Sequence, residues 1–525
     1  MAQRAAGSDR RRLGRDHEGD HRQDLWPVKT GAVLFTGCIP EVAAGPDGRV
    51  LAVGARARAA AGRNAEVVRL RGKAWPGLID SHIHLEGLAD RNLSLDLTGT
   101  RSLEVALERI RRWAGRVAKD GWVVGSGWYN DAWPDPAFPS RQRLDEVSGG
   151  RPAFLRRKDG HSAWASSAAL KLAGIDDSTE DPAGGVIDRD RAGKPSGILR
   201  ETAMQLVSVK VPAPNDADLD RAMDRALAAL SRFGLASVHS MDSSRGFGSL
   251  QRLHARGRLP LRVTYNLPLA DLHHAERIGV RSGWGDSWLR MWGVKAFLDG
   301  SLGSRTAEML DGSGTARLTE ADLADMIGRC ARAELNVCLH AIGDGAVRRA
   351  LDALEPHRRA WLFWRPRIEH VQCVDPTDMK RFARIGVIAS MQPIHAVADR
   401  DLADRYWAKV TDRAYAWGAL ERAGGRLAFG SDAPVETADP LLGIDAATSW
   451  RRRARWHPDL AVNRASALNA YTASAAFAVG MEDDLGAIRP GMLCDLTVVD
   501  GGHVAATVVG GRVSWRRKPS AASRR

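Results

Sequence analysis

The chain has 525 residues, of which 44% are apolar and 26% are charged, and its formal net charge is +13. This composition excludes a disordered or fibrous chain, and the length exceeds that of one ordinary domain. The positive charge is weak support for nucleic-acid binding, because six of the basic residues crowd into the last fourteen positions, where no acid occurs.

Both ends of the chain are predicted to be disordered, over residues 1–26 and 517–525. The first segment lacks the apolar core of a signal peptide, and no run of about 18 apolar residues predicts a membrane span. Contact of the basic tail with an anion or a membrane surface stays open. Scattered cysteines, odd in number and without a CxxC pair, argue against disulfides and cysteine zinc sites and favour a cytoplasmic location: Cys38, Cys330, Cys338, Cys373 and Cys494.

Short apolar runs separated by turns open the chain after this first segment, at residues 32–35, 49–53 and 67–70. The same pattern returns between residues 485 and 516. Neither stretch is long enough to bury a core of its own. We therefore predict one β-sandwich domain built from residues 27–75 and 485–516.

Between these ends, eight short strand-like runs alternate with helix-like segments. The predicted strands are residues 76–84, 236–241, 261–267, 291–299, 336–340, 367–372, 387–392 and 426–431. The predicted helices are residues 217–233, 321–333, 346–354, 376–385 and 414–423. Eight such units predict an α/β fold, a closed (β/α)8 TIM barrel over residues 76–95 and 225–484. An open doubly wound sheet would normally carry a glycine-rich turn after its first strand, where this chain reads His-Ile-His-Leu-Glu.

About 150 residues separate the first two barrel strands, far more than a loop requires. We predict an inserted α/β domain over residues 96–224. Its tryptophan-rich part, with Trp128 and Trp133, is interpreted as a substrate enclosure, and core packing is the alternative.

Chemistry-bearing residues fall at the ends of five of the predicted strands. His82 and His84 are spaced i, i+2, which places both imidazoles on one face of a strand, as two ligands of one metal would require. Lys295 lies inside an apolar strand, where a buried ion pair or a CO2-derived carbamate that bridges two metals would explain it.

His340, His370 and Asp432 end the fifth, sixth and eighth strands. Singly, a buried histidine is usually only hydrogen-bonded, and an Asp after a strand is often a helix cap. Jointly, the six residues predict one site, because the carboxyl ends of barrel strands meet at one rim.

These motifs resemble the metal-dependent amidohydrolase superfamily, in the branch of the N-substituted formamide deformylases, amidohydrolase family 3. The resemblance extends from residue 32 to 509 and is carried by Pro-Gly-Leu-Ile-Asp-Ser-His-Ile-His, Lys-Ala-Phe-Leu-Asp-Gly-Ser-Leu-Gly-Ser-Arg-Thr-Ala, His-Ala-Ile-Gly-Asp-Gly-Ala and Gly-Ser-Asp-Ala-Pro-Val-Glu. Two departures are Ser166, where such members usually show Asn, and Cys494, which replaces a small residue.

The resemblance implies a β-sandwich, a barrel and an insert. It also implies that His82, His84 and Asp432 hold the more buried metal, that His340 and His370 hold a second one, and that carbamylated Lys295 bridges them. Zinc suits these ligands best, and Mn, Fe and Co stay open. Asp432 would be the catalytic base for attack by metal-bound hydroxide on an N-acyl or N-formyl amide.

Substrate contacts are predicted at His161, Asp299, Arg305 and Trp128. Hydrolysis of a cyclic amide and deamination share the same ligands and stay open as alternatives, as does a non-catalytic scaffold, although none of the six ligands is lost. The expected partner is a small-molecule amide rather than nucleic acid or membrane, and a homo-oligomer stays open.

Overall fold

The computed structural model describes residues 31–158, 162–182, 185–303 and 305–518. The predicted disorder of residues 1–26 and 517–525 therefore concerns positions outside the described residues, except for 517 and 518. Every helix in the described part of the chain is too short or too polar to cross a lipid bilayer.

Eight parallel strands form a nearly closed barrel in chain order, which confirms the predicted α/β fold. They are β1 Leu78–Ile83, β2 Leu235–Ser240, β3 Arg262–Pro268, β4 Leu289–Phe297, β5 Asn336–Ala341, β6 Arg367–His370, β7 Ile388–Met391 and β8 Arg426–Phe429. The segment after β8 returns to β1, where the Asp432 N–H donates to the His82 carbonyl at 2.7 Å and the His84 N–H to the Ala433 carbonyl at 2.8 Å. These bonds bring the ends of the first and last strands together.

Helices follow most of these strands and bury their apolar faces against the barrel. They are Leu85–Leu93, Asp216–Arg232, Ser244–Ala255, Leu272–Ile278, Glu320–Arg332, Asp344–Leu354, Pro376–Ile385, Pro393–Tyr406, Trp417–Arg422, Pro440–Asp445, Arg451–Ala454, Arg464–Ala470 and Ala473–Phe477. Polar side chains start several of them, since Asn215, Thr319 and Asp375 each accept a hydrogen bond from a backbone N–H of the first turn.

A seven-stranded sheet draws on both ends of the chain. Its order is Arg512–Arg516, His503–Val509, Leu496–Asp500, Glu66–Pro76, Val33–Ile39, Val42–Ala44 and Val50–Val53, with the short helix Ala57–Ala61 beside it. Residues of both halves form one apolar core, in which Cys494 is buried. The sheet is tied to the barrel by Asp495, whose carboxylate accepts hydrogen bonds from Arg262 of β3 at 2.7 and 3.0 Å.

A six-stranded mixed sheet stands between β1 and β2. Its order is Gly185–Arg189, Pro195–Glu201, Ser162–Ala165, Ala153–Arg157, Val123–Trp128 and Leu95–Asp96. The helices Leu103–Ala114, Arg141–Ser148, Ser167–Ala173 and Ala203–Ser208 accompany it. The predicted domain limits, 27–75 with 485–516, 76–95 with 225–484, and 96–224, stay predictions.

Candidate metal centre

The six predicted ligand side chains meet at one rim of the barrel. His84 Nε2 lies 3.1 Å and His82 Nε2 3.4 Å from Oδ1 of Asp432, and Lys295 Nζ lies 3.2 Å from His82 Nε2. The rings of His340 and His370 are 4.5 Å apart between centroids, and the ring of His370 is 4.8 Å from that of His82. Residues from five strand ends thus form one continuous cluster.

Two overlapping groups of side chains within this cluster are close enough to hold a metal ion. One is His82, His84 and Asp432; the other is His370, His395 and Asp432. In each group the candidate ligand atoms lie within 4.8 Å of one another. Asp432 joins the groups because Oδ1 faces the first and Oδ2 the second. His395 was not predicted from the sequence.

A buried carboxylate orients the ring of His82 through the nitrogen that faces away from the cluster. Its Nδ1 donates to Glu369 Oε2 at 2.7 Å, which leaves the lone pair of Nε2 directed at the cluster. Arg367 holds the other oxygen, with Nε 2.8 Å from Glu369 Oε1. Although burial opposes its charge, the Arg367 guanidinium and the His82 imidazole hold the pKa of Glu369 well below its ordinary value.

The rings of His340 and His370 are also held by oxygen acceptors. His340 Nε2 donates to the Gly300 carbonyl and His370 Nδ1 to Gln392 Oε1, both at 2.8 Å. Nδ1 of His340 is buried and has no hydrogen-bond partner among the described residues. Each ring therefore keeps one open nitrogen, and this donor set fits a divalent metal with nitrogen and oxygen ligands.

Burial keeps these imidazoles in the neutral form that binds metals. Burial, and then the nearby Lys295, lowers the pKa of His82 to about 4 and that of His340 to about 3. Burial likewise lowers the pKa of His370 well below its ordinary value. Asp432, in contrast, is kept in its charged form. Burial opposes that charge, but a hydrogen bond from His84 and the neighbouring rings hold the pKa of Asp432 well below its usual range.

Lys295 is only 3% exposed and points into the same cluster. Burial lowers its pKa, and the charges of Glu369 and Asp432 offset part of that effect. A neutral amine is the form that adds CO2, so the environment fits a carbamate.

The backbone at two of these positions is left-handed. His370 has φ +75° and Asp432 has φ +58°. On a regular strand His370 would point away from its neighbour Glu369. The turned backbone lets His370 face the rim while Arg367 and Glu369, two residues apart, point into the barrel. Such conformations persist only where surrounding contacts hold them, and they cluster at functional sites.

Among the predicted substrate-contact residues, Asp299 lies next to the rim, with Oδ1 3.5 Å from Nε2 of His340. Asp299 is fully buried, and its carboxylate accepts the backbone N–H groups of Glu308, Ile342 and Gly343 at 2.9 to 3.2 Å, so it braces the loop after β4. Burial raises its pKa to about 7. Arg305 is exposed, with its guanidinium 5.6 Å from the ring of Tyr406.

Trp128 belongs to the core of the inserted sheet, as in the core-packing alternative, and its contact with substrate stays a prediction. It is fully buried, its Nε1 donates to the Leu155 carbonyl at 2.8 Å, and it packs on Trp133 and Trp164. Ser166 caps the helix Ser167–Ala173, with its side chain accepting the Ala169 N–H. His161 lies outside the described residues, and its contact with substrate stays a prediction.

Sequence reasoning missed the supporting residues Glu369, Arg367 and Gln392, and it missed His395, which belongs to the second candidate ligand group. One signal was available, because Arg367 and Glu369 alternate on a predicted strand and therefore share its inward face. Gln392 and His395 follow β7, where the sequence carries no recognisable motif, and only the folded chain brings them to the rim.

Comparison with known proteins relates the chain to one family. The sequence pattern of the Amidohydrolase family matches residues 66–513. The chain is 32% identical to Protein LONG AFTER FAR-RED 3 of Arabidopsis thaliana, over 89% of this chain and 87% of that protein. It is 28% identical to the N-substituted formamide deformylase of Arthrobacter pascens, over 86% and 88%. A crystal structure of an uncharacterized metal-dependent hydrolase from Pyrococcus furiosus superimposes with a TM-score of 0.75 at 28% identity, over 89% of this chain and 99% of that one.

Proposed function

Because the chain belongs to the amidohydrolase family, we propose that it is a metal-dependent hydrolase that cleaves the carbon–nitrogen bond of a linear N-formyl or N-acyl amide. The main support for this proposal is the set of side chains that meet at the barrel rim. Four imidazoles, one ionised carboxylate and one buried lysine converge there, and hydrogen-bond acceptors orient three of the rings. The relative that acts on N-substituted formamides supports the choice of substrate class.

We propose that His82, His84 and Asp432 hold one divalent ion and that His340 and His370 hold a second. Lys295, as a carbamate, would bridge the two. Nitrogen and carboxylate ligands without thiolates suit zinc, and they also accept manganese, iron or cobalt.

A bound ion would supply an activated water molecule and would polarise a carbonyl oxygen. The chain contributes the proton transfer. Asp432 is ionised, so it can accept the proton of the attacking water and return it to the departing nitrogen. Its left-handed backbone and its contact with His84 fix the direction of that carboxylate.

The proposed partner is a small-molecule amide, and the proposed location is the cytoplasm. All five cysteines are free and buried, which supports a reducing compartment.

Metal analysis of the purified protein, combined with a substrate screen, tests this function. The panel contains N-formyl amines, N-acyl amines, cyclic amides and aminopurines, and the assay measures primary-amine release. We expect amine release from the linear amides alone, and Asp432→Asn should keep its metal while turnover falls about 10²- to 10⁴-fold. Near-parental turnover in Asp432→Asn would refute the assigned base, and ring opening or ammonia release alone would refute the substrate class.

A further inference from the structure

An exposed loop lies at the end of the barrel opposite the rim. Residues 357–367 read His-Arg-Arg-Ala-Trp-Leu-Phe-Trp-Arg-Pro-Arg and lead into β6, whose carboxyl end carries His370. Leu362 is 87% exposed, the highest value among the large apolar side chains of the described ranges, and its neighbour Phe363 is 49% exposed. Two adjacent apolar side chains in water gain free energy when a partner covers them, so this loop is a candidate contact surface.

The residues that follow the exposed pair fix the loop to the barrel. Asn336, the first residue of β5, donates from Nδ2 to the Phe363 carbonyl at 3.1 Å and accepts the Arg365 N–H at 2.6 Å. The Arg365 guanidinium also donates to both carboxylate oxygens of Glu482, at 2.6 and 2.7 Å. Trp364 is only 8% exposed and packs in the barrel core. The exposed pair therefore stands on a fixed base.

Rings and guanidinium groups alternate across this end of the barrel. The guanidinium of Arg365 lies 5.9 Å from the centroid of the Phe363 ring and 4.0 Å from that of Phe477. Arg426, the first residue of β8, is exposed, and its guanidinium lies 3.9 Å from the centroid of the same Phe477 ring. This row of contacts joins the loop and the start of β8 into one surface.

The positive charge of this surface is only partly compensated. Residues 357–367 contain no acid, and exposed Arg358 and Arg359, like Arg426, form no ion pair within the described part of the chain. Two nearby acids are already neutralised, Glu355 by two other arginines at 2.7 and 2.9 Å and Glu482 by the loop itself. Three positive charges thus remain around the apolar pair.

We propose that this surface binds an anionic lipid bilayer. We name it the basal patch, and it consists of Arg358, Arg359, Leu362, Phe363 and Arg426. Exposed apolar side chains enter the headgroup region of a bilayer, and arginines beside them contact the lipid phosphates. The sequence expectation did not include a membrane, and this partner is independent of the proposed hydrolysis. Since the patch lies at the amino ends of the barrel strands, binding leaves the rim open to a soluble substrate.

Two other occupants fit the basal patch less well. A second copy of the chain, related by a two-fold axis through the patch, would set these arginines against their own copies. A single-stranded nucleic acid stacks its bases on free ring faces. Leu362 has no such face, and the Phe477 ring is already covered by Arg365 and Arg426.

Cosedimentation with lipid vesicles tests the proposal. We expect the parent to bind vesicles that mix phosphatidylglycerol with phosphatidylcholine, to bind pure phosphatidylcholine far less, and to dissociate as salt is raised. Leu362→Ser with Phe363→Ser should lower the partition coefficient about tenfold or more. Arg358→Gln with Arg359→Gln should lower it about 10- to 30-fold. Metal content and amide turnover should stay parental, because the rim is untouched.

Matched controls lie in the inserted domain. Val209→Ser removes an apolar side chain that is 73% exposed, and Arg111→Gln with Arg112→Gln removes two exposed arginines. Both should partition as the parent does. Equal losses in these controls would mean that charge and apolar surface act without regard to place, and would overturn the basal patch.

A labelled variant tests insertion directly and does not depend on loss of binding. All five native cysteines are buried, so a maleimide dye that responds to polarity should label Leu362→Cys selectively. We expect its emission to shift to the blue with phosphatidylglycerol vesicles and to stay unchanged in Val209→Cys. An unshifted emission from Leu362→Cys would overturn the proposal. A parental dimer that becomes a monomer in Leu362→Ser with Phe363→Ser, or binding of single-stranded RNA without binding of vesicles, would overturn it in favour of the other occupants.

Discussion

The barrel rim and the inserted six-stranded sheet both bury aromatic rings, but they differ in whether the ring nitrogens have hydrogen-bond partners. In the inserted sheet, every one of three buried indoles donates to a backbone carbonyl: Trp128 to Leu155, Trp133 to Thr100 and Trp164 to Ser140. At the rim, by contrast, Nδ1 of His340 and Nε2 of His395 find no partner within the described part of the chain. Buried polar atoms are normally paired, so the open imidazole nitrogens of the rim are available to a ligand, whereas the paired indoles of the inserted sheet serve packing.

The largest expected effect comes from removing a ligand at the rim. His82→Ala should lose metal and bring turnover below detection, because a nitrogen ligand disappears and Glu369 keeps a buried charge. Elemental analysis and the amine-release assay measure both effects. His254→Ala, at a histidine paired with Asp286 away from the rim, should retain metal and turnover. Full metal occupancy in His82→Ala would mean that other residues hold the ion.

Truncating a paired indole should affect stability and leave chemistry alone. Trp128→Ala should lower the free energy of unfolding by about 3–5 kcal/mol, because it opens a cavity in the inserted core. Denaturant titration measures this loss, while metal content and the KM of the folded protein should match the parent. Tyr129→Ala, at the partly exposed neighbour, is the control. A raised KM without loss of stability would instead support Trp128 as a substrate contact.

A smaller effect is expected from the layer behind the ligands. Glu369→Gln removes the carboxylate that holds His82 and neutralises Arg367, so metal affinity should fall about 10- to 100-fold. Competition with a chelator measures it. Glu334→Gln, at a glutamate that pairs with Arg281 on the surface, should keep parental affinity. Equal affinities in the two variants would mean that Glu369 does not tune the site.

The smallest effect lies outside both regions, between two helices of the barrel. Asp220 accepts hydrogen bonds from Arg252 and Ser249, and although burial opposes its charge, these bonds lower its pKa. A lowered folded-state pKa gives stability that is present above about pH 4 and is lost as the pH falls through that pKa. Asp220→Asn should therefore cost about 1–2 kcal/mol at pH 7 and less in acid.

Urea titration at pH 7, and again at the lowest pH where both proteins stay folded, measures this difference. Asp216→Asn, at an exposed aspartate that pairs with Arg252, is the control and should change stability little. A difference between parent and Asp220→Asn that does not vary with pH would exclude the ionised carboxylate as its source.

The barrel could be predicted from the sequence because its signal is repeated. All eight predicted strands overlap the observed ones, and the helix predicted at residues 376–385 has the observed bounds. The alternation of strands and helices also predicted that the six ligand residues share one rim, since the carboxyl ends of parallel strands meet there.

Other parts of the site could not be predicted, for two physical reasons. The orientation of His370 depends on a left-handed backbone, and His395 reaches the rim from a helix that carries no metal-binding spacing. The burial of Trp128 depends on which face of a mixed sheet meets its helices, and a tryptophan-rich stretch does not encode that face.

The joining of the chain ends in one sheet has a consequence for synthesis on the ribosome. The strand Glu66–Pro76 pairs with Val33–Ile39 on one side and with Leu496–Asp500 on the other. At about 5–20 residues per second, the nascent chain waits roughly 20–80 s for this second partner. Meanwhile the open edge displays exposed Arg69, Arg71 and Lys73, and charged side chains of this kind deter pairing with foreign strands until the last strands emerge.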